Sequence, residues 1–313
     1  MLITTSKCIL MAVQMLSPSE TAWLAGFLEG EGSFGISVLK AGRQLSPYIS
    51  FQSTDGDVTE KVATLFSTKA HGPYLRKDKV ISKKPYFCAA VHGSSAARIM
   101  QTIFPYMGNR RKEKIERTLQ EWVNRPFQRR PDNLPTLCHP GHRHYSHGLC
   151  RKCYDVWFRS GKKPIAKERH TIELNPALND ALPTPWLAGL LEAEGTFGCY
   201  LRGQQKQTPV LSLALISSDR DVIQRAAGLM ENGRVATHPN AGLGSRQLYV
   251  VARTGYIAAR LMRSILPFMG KRRSAAIEGA LARWDSRPKK HREFRHPRAL
   301  PYYAAGVPDV PTL

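Results

Sequence analysis

The chain has 313 residues, 42% of them hydrophobic, enough to bury one or two ordinary cores and too many for a disordered tail. Forty-six Lys and Arg against 24 Asp and Glu leave a formal charge of +22, a surface suited to polyanions and ill-suited to a neutral small-molecule substrate. No apolar run approaches the roughly 18–20 residues that cross a bilayer, so no membrane partner is expected.

In chain order, residues 1–17 carry one Lys and a short apolar stretch without a cleavage signal; they read as a disordered leader, with Met11 or Met15 as alternative starts. Thr21 offers a cap for a helix through WLAGFLEGE, closed by Gly32. SFGISVL then alternates, Phe34, Ile36 and Val38 to one side and Ser33, Gly35 and Ser37 to the other, as a half-buried strand does. A second strand, SPYISFQST, leads to a helix over DVTEKVATLF, two further strands in HGPYLRKD and KPYFCAAVHG, and helices over roughly 95–124.

From about residue 180 the chain repeats itself at an offset of about 163 residues. WLAGFLEGEG at 23–32 returns as WLAGLLEAEG at 186–195, FQSTDGDV as LISSDRDV, and IFPYMGNRRKEKIE as ILPFMGKRRSAAIE. Thr184 stands where Thr21 does, and strands TFGCYLR, TPVLSLALISS, GRVATHP and RQLYVVART keep the order before helices over 255–286. The organisation read from this is a first half at 18–126, a basic linker at 127–176, a second half at 177–288 and a basic, Pro-rich tail at 289–313. The fold class is α+β, two pseudo-symmetric αββαββα halves with antiparallel sheets.

Gly26 and Gly30 share a helix face, as do Gly189 and Ala193, and small residues four apart allow two helix backbones to approach closely. If the two copies pack on each other, Glu31 and Glu194 arrive together at two helix C-termini, against the macrodipole and against each other. Divalent cations held by oxygen ligands remove both penalties.

LAGFLEGEG and LAGLLEAEG resemble the signature of the LAGLIDADG homing endonucleases, and the duplication resembles their single-chain, two-motif members; the likeness spans most of 18–126 and 180–288. The resemblance implies a saddle-shaped sheet in each half lying in the major groove of double-stranded DNA. It implies Mg²⁺ (or Mn²⁺) and double-strand cleavage with short 3′ overhangs by a monomer. It also implies catalytic acids at Glu31 and Glu194, with the carbonyls of Gly30 and Ala193 as further metal ligands, and Glu29 and Glu192 orienting the helix ends. Many members carry Asp where Glu31 and Glu194 stand, so the extra methylene leaves metal geometry open. The family's cation after the Pro-aromatic element falls on Arg110 and Arg272, with Arg111 and Arg273 as neighbouring alternatives, and would stabilise the phosphorane charge.

The polar side of the sheets then nominates DNA contacts at Ser33, Ser37, Ser46, Tyr48, Ser50 and Gln52, and at Thr196, Tyr200, Arg202 and Ser212; Arg76, Lys77, Lys79, Lys83 and Lys84 would neutralise phosphate. The two sets differ, which implies an asymmetric target. A maturase that assists intron RNA splicing on the same fold is an alternative, as is a non-catalytic DNA-binding regulator. An intron- or phage-encoded protein in the cytoplasm of a bacterial host is the expected setting.

In the linker, LCHPGHRHYSHGLCRKCYD places Cys138, Cys150 and Cys153 among four histidines, a pattern for structural Zn²⁺ in a reducing compartment rather than for disulfides. His139, His142, His144 and His147 are all candidates for the fourth ligand, and His144 is chosen for its even loop lengths on both sides. The stretch also resembles small Cys/His modules found beside phage nucleases.

Overall fold

The computed structural model describes residues 16–39, 44–75, 84–124, 139, 144–146, 149–160, 174, 182–202, 208–238 and 247–287. The first half runs α1 (Pro18–Glu31), β1 (Ser33–Leu39), β2 (Gln44–Ser53), α2 (Gly56–Leu65), β3 (His71–Tyr74), β4 (Tyr86–His92), α3 (Gly93–Ile103) and α4 (Asn109–Val123). In the linker follow β5 (His144–Ser146), β6 (Leu149–Cys150) and α5 (Arg151–Arg159). The second half repeats the first: α6 (Pro183–Glu194), β7 (Gly195–Arg202), β8 (Thr208–Ser217), α7 (Arg220–Leu229), β9 (Val235–His238), β10 (Leu248–Thr254), α8 (Gly255–Ile265) and α9 (Lys271–Asp285).

Helix α1 is capped by Ser17, not by Thr21. The Ser17 hydroxyl accepts the Glu20 N–H at 3.2 Å, and the Glu20 carboxylate accepts the Ser17 N–H at 2.8 Å. That reciprocal box, with Pro18 in the first turn, satisfies two orphan donors where Thr21 alone would satisfy one. Thr21 lies buried a turn further in, and Thr184 likewise falls inside α6, which starts at Pro183.

Each half folds one four-stranded antiparallel sheet, ordered β1-β2-β4-β3 and β7-β8-β10-β9. Phe34, Ile49, Phe51, Ala89 and Val91 line the inner face of the first, and Leu211, Leu213, Leu215 and Val251 that of the second. Alternation holds because adjacent side chains in a strand point to opposite faces. Val38, expected inward, is 61% exposed, since the end of β1 runs past the core. The helical stretch at 93–123 is broken by a 3₁₀ turn at Phe104–Tyr106, where Pro105 cannot continue α3. α4 then buries Ile115, Thr118, Leu119 and Trp122, and α9 the matching Ile277, Ala280, Leu281 and Trp284.

One continuous core joins both halves, and α1 against α6 is its centre. Both helices are buried nearly all round, from Thr21 to Glu29 and from Pro185 to Glu192, as a helix does when it lies between layers rather than on a surface. A methyl group on Gly26 would collide with the carbonyl oxygen of Trp186 and lie 2.9 Å from the Leu190 nitrogen; one on Gly189 would collide with the carbonyl oxygen of Trp23. The backbones themselves are in contact.

Gly26→Ala and Gly189→Ala test this contact. Helix propensity alone favours each change by about 1 kcal/mol. The collision is with backbone, which cannot turn aside, so we expect each to destabilise by about 3 kcal/mol or more, the upper range for overpacking. Gly228→Ala in α7, where a methyl meets nothing within 4 Å, should instead be neutral or mildly stabilising. Urea unfolding midpoints of the three variants check the contrast.

Candidate active site and nucleic-acid face

The close helix approach brings the two acidic tips together. A methyl on Gly30 would lie 2.6 Å from the Ala193 Cβ and 2.8 Å from the Glu194 Cγ, so the second acid reaches across the end of the first helix. Partial burial, then the neighbouring Glu194 carboxylate, push Glu31 up to about 6, with Arg273 opposing. Burial also raises Glu194, against Arg273 and Arg111. Two acids held above their ordinary range, at helix ends that already carry negative charge, form a site for cations.

Two clefts flank the helix ends. Glu31, Ala193, Gln52, Asp55 and Arg272 line one; Glu194, Gly30, Thr196, Asp219 and Arg110 line the other. Each acid therefore shares its cleft with the helix end of the opposite half. Carboxylate and backbone carbonyl are hard oxygen donors, the set that fits Mg²⁺ or Mn²⁺. The Gly30 carbonyl accepts a hydrogen bond from Arg111 at 3.2 Å and the Ala193 carbonyl one from Arg273 at 3.3 Å, so cationic groups already lie against those oxygens.

Glu29 and Glu192 lie in the cleft walls, buried at the base of the motif helix ends. Each carboxylate accepts a backbone N–H at 2.7 Å, from Gly108 and Gly270, at the starts of α4 and α9. The next N–H of each helix goes to the opposite half: Asn109 donates to Asp221 at 2.7 Å and Lys271 to Asp57 at 2.6 Å. One residue on, Arg110 grips Asp219 with two nitrogens at 2.7 and 2.6 Å, and Arg272 grips Asp55 at 2.6 and 2.7 Å. Two crossed clamps thus hold the halves in register, each built on a helix N-terminus that favours anions. Gly108 and Gly270 permit them: a Cβ there would meet the Asp221 and Asp57 carboxylates at 3.1 Å.

The four arginines divide their work. Arg110 and Arg272 stand in the cleft walls with their guanidiniums bonded to Asp219 and Asp55. Arg111 and Arg273 bond the helix-end carbonyls of Glu29, Gly30, Glu192 and Ala193, and both also feel the Glu194 carboxylate. Sequence reasoning missed Asp55, Asp57, Asp219 and Asp221, although TDGDV and SDRDV already stood out as a repeated pair.

On the outer face of the first sheet, register places Ser33 opposite Ser50, Gly35 opposite Tyr48 and Ser37 opposite Ser46. Gln52 is exposed beside them. Ser46 is a correction: it is 7% exposed, because the chain turning into α3 at Gly93 passes over it, and it is not available to a base. Its carbonyl also takes the Ser37 hydroxyl at 3.1 Å. His92, paired with Tyr48, joins this face and was not foreseen. In the second sheet Thr196 and Tyr200 are exposed and Ser212 half-buried; Thr196 pairs with Ala214 and Tyr200 with Val210, and Ile216 further along β8 is exposed, a more apolar surface than expected. Lys84 is exposed; Arg76, Lys77, Lys79, Lys83 and the Arg202 side chain lie outside the described residues.

In the linker, Cys150, Cys153 and His139 converge, their ligand atoms within 4.8 Å of one another. Of the other expected ligands, Cys138 and the His144 side chain lie outside the described residues, though the His144 backbone pairs with Cys150 between β5 and β6.

No protein-family model matches the chain, and no curated protein does. Among solved structures it is similar to the LAGLIDADG meganuclease I-AabMI bound to uncleaved DNA, at 15% identity over 85% of this chain and 90% of that one, with a TM-score of 0.49. I-SmaMI bound to an uncleaved DNA target with calcium ions aligns at 15% identity over 88% and 94%, TM-score 0.48. The I-LtrWI LAGLIDADG homing endonuclease bound to target DNA aligns at 14% over 87% and 91%, TM-score 0.47.

The buried Glu29 makes a pH prediction. Desolvation lifts it from 4.5 to about 7, over the opposing Gly108 hydrogen bond. An acid whose folded value lies above its unfolded one takes up protons on folding, so its contribution to stability is present below about 4.5 and is lost as pH rises towards about 7. Glu192, Glu31 and Glu194 are raised too and act with the same sign. Glu29→Gln keeps an acceptor for Gly108 and removes the charge. We expect it to gain roughly 1–3 kcal/mol relative to the parent between pH 5 and pH 8, read from urea midpoints at the two pH values.

Proposed function

We propose that the chain is a LAGLIDADG-type homing endonuclease of the single-chain kind, a monomer that cuts both strands of double-stranded DNA at a long asymmetric site using Mg²⁺ or Mn²⁺, leaving short 3′ overhangs. The observation that carries the reading is the meeting of Glu31 and Glu194 at the tips of α1 and α6, with mirror-related clefts either side. A regulator that only binds DNA has no use for two opposed carboxylates that burial, and for Glu31 also the neighbouring Glu194, holds above their ordinary range.

Phosphodiester hydrolysis requires water aimed in line at phosphorus and neutralisation of the charge that builds on the phosphoryl oxygens. Glu31 with the Ala193 carbonyl, and Glu194 with the Gly30 carbonyl, would each hold a divalent ion. Such an ion, when bound, acidifies coordinated water and neutralises phosphate charge. Arg110 and Arg272, in the cleft walls with Asp219 and Asp55 fixing their forks, would meet a scissile phosphate. Arg111 and Arg273 keep the carbonyl ends of the motif helices ordered. The outer sheet faces differ: Ser33, Ser50, Gln52 and Tyr48 on one offer hydrogen bonds to base edges, whereas Val210, Ala214 and Ile216 on the other suit thymine methyls and backbone contact. Unequal half-sites follow from that difference.

Selection of cleaved molecules from a randomised duplex library in Mg²⁺ would identify the site. On it, Glu31→Gln and Glu194→Gln should each slow cleavage by at least about 10²-fold, as loss of a transition-state electrostatic partner does, while binding in Ca²⁺ changes by less than a few fold. Full cleavage by both variants would overturn the mechanism. With a net charge of +22, affinity for the site should fall about 10³-fold or more between 50 and 200 mM salt, measured by fluorescence anisotropy.

A further inference from the structure

We propose that His139, Cys150 and Cys153 bind a single Zn²⁺, with the Nδ1 atom of His139 as a nitrogen ligand. His139 Nδ1 lies 3.5 Å from the Cys153 Sγ and 3.8 Å from the Cys150 Sγ. Around a tetrahedral zinc with bonds of about 2.3 Å to sulfur and about 2.0–2.1 Å to nitrogen, a sulfur–nitrogen edge is about 3.6 Å. Both sulfur–nitrogen edges therefore match those of one tetrahedron, and the two sulfurs lie within 4.8 Å of each other.

The surroundings give the same answer from a different direction. Cys150 ends β6 and Cys153 lies in the first turn of α5, so one short segment presents both sulfurs to the same point. Among the described side chains between 139 and 160, Cys150 alone is buried, and it lies outside the core cluster shared by the two halves. Among the described side chains, the two-stranded ribbon and the nine-residue helix bury only Cys150, less than holds small units together. A metal supplies that stability where a core cannot. Two sulfurs and an imidazole are soft to borderline donors, which select zinc over the Mg²⁺ suited to the oxygen clefts.

This inference is independent of the nuclease reading, since its measurement is metal content. The full-length chain is purified in metal-free buffers from cells grown with zinc, and zinc is counted by plasma mass spectrometry. One zinc per chain is expected. Cys150→Ser, Cys153→Ser and His139→Ala should each lose it. His139→Cys, which keeps a ligand atom there, should retain it, separating loss of a ligand from failure to fold. Glu31→Gln and Glu194→Gln should retain it as well. With Co²⁺ in place of zinc, a thiolate-to-metal charge-transfer band should appear in the parent chain and vanish in Cys150→Ser. Parent protein free of zinc would mean a hydrogen-bonded thiol–imidazole cluster and would overturn the proposal. So would zinc that survives His139→Ala.

Discussion

The backbone contact between α1 and α6 is the constraint on which the rest depends. Gly26 and Gly189 each face a carbonyl oxygen of the other helix, an approach that no side chain tolerates. Once the helices lie that close, their acidic ends have nowhere to go but beside each other, and each half's sheet is fixed relative to the other through the shared core. Burial of Trp23, Phe27, Leu24 and Leu28 with Trp186, Leu187, Leu190 and Leu191 supplies the favourable term that offsets crowding two helix ends of like charge.

That crowding is distributed rather than removed. Glu29 and Glu192, buried beside Arg111 and Arg273, accept the N–H groups that open α4 and α9. Asp57 and Asp221 take the next N–H of the opposite half, and Asp55 and Asp219 hold the following arginine. Each helix start is therefore anchored by acids from both halves, and the cleft geometry cannot change in one half without strain in the other. Arg111 and Arg273 complete the balance by bonding the carbonyls at the C-termini, where the macrodipole favours cations.

The repeat is symmetric in its skeleton and unequal on its outer faces. The helices, clamps and motif acids match position for position, but Gly35 lies under the Tyr48 ring while Gly198 faces open space, and Gln52 is matched by Ile216. Skeleton positions are tied to partners in the other half and cannot drift alone; outer-face positions such as Gln52 and Ile216 are exposed. A single chain with a duplicated fold can in this way keep two equivalent clefts while presenting two different surfaces.

Much of this was legible in the residues. The doubled motif, the small residues four apart and the alternating strands were enough to set out two αββαββα halves, the helix contact and the meeting of Glu31 with Glu194, because helix and strand periodicity are local properties written in spacing. The capping of α1 was misread at Thr21, since a box formed with Glu20 outranks a single hydroxyl. Which polar residue on a strand remains open to solvent was not legible either: Ser46 is covered by the turn into α3, a neighbour distant in sequence. The division of work among Arg110, Arg111, Arg272 and Arg273, and the crossed use of Asp55, Asp57, Asp219 and Asp221, belong to the tertiary structure alone. Those pairings join residues 80 or more positions apart, or lie one residue apart on a helix turning about 100° per residue, and only the packed molecule decides which charge meets which.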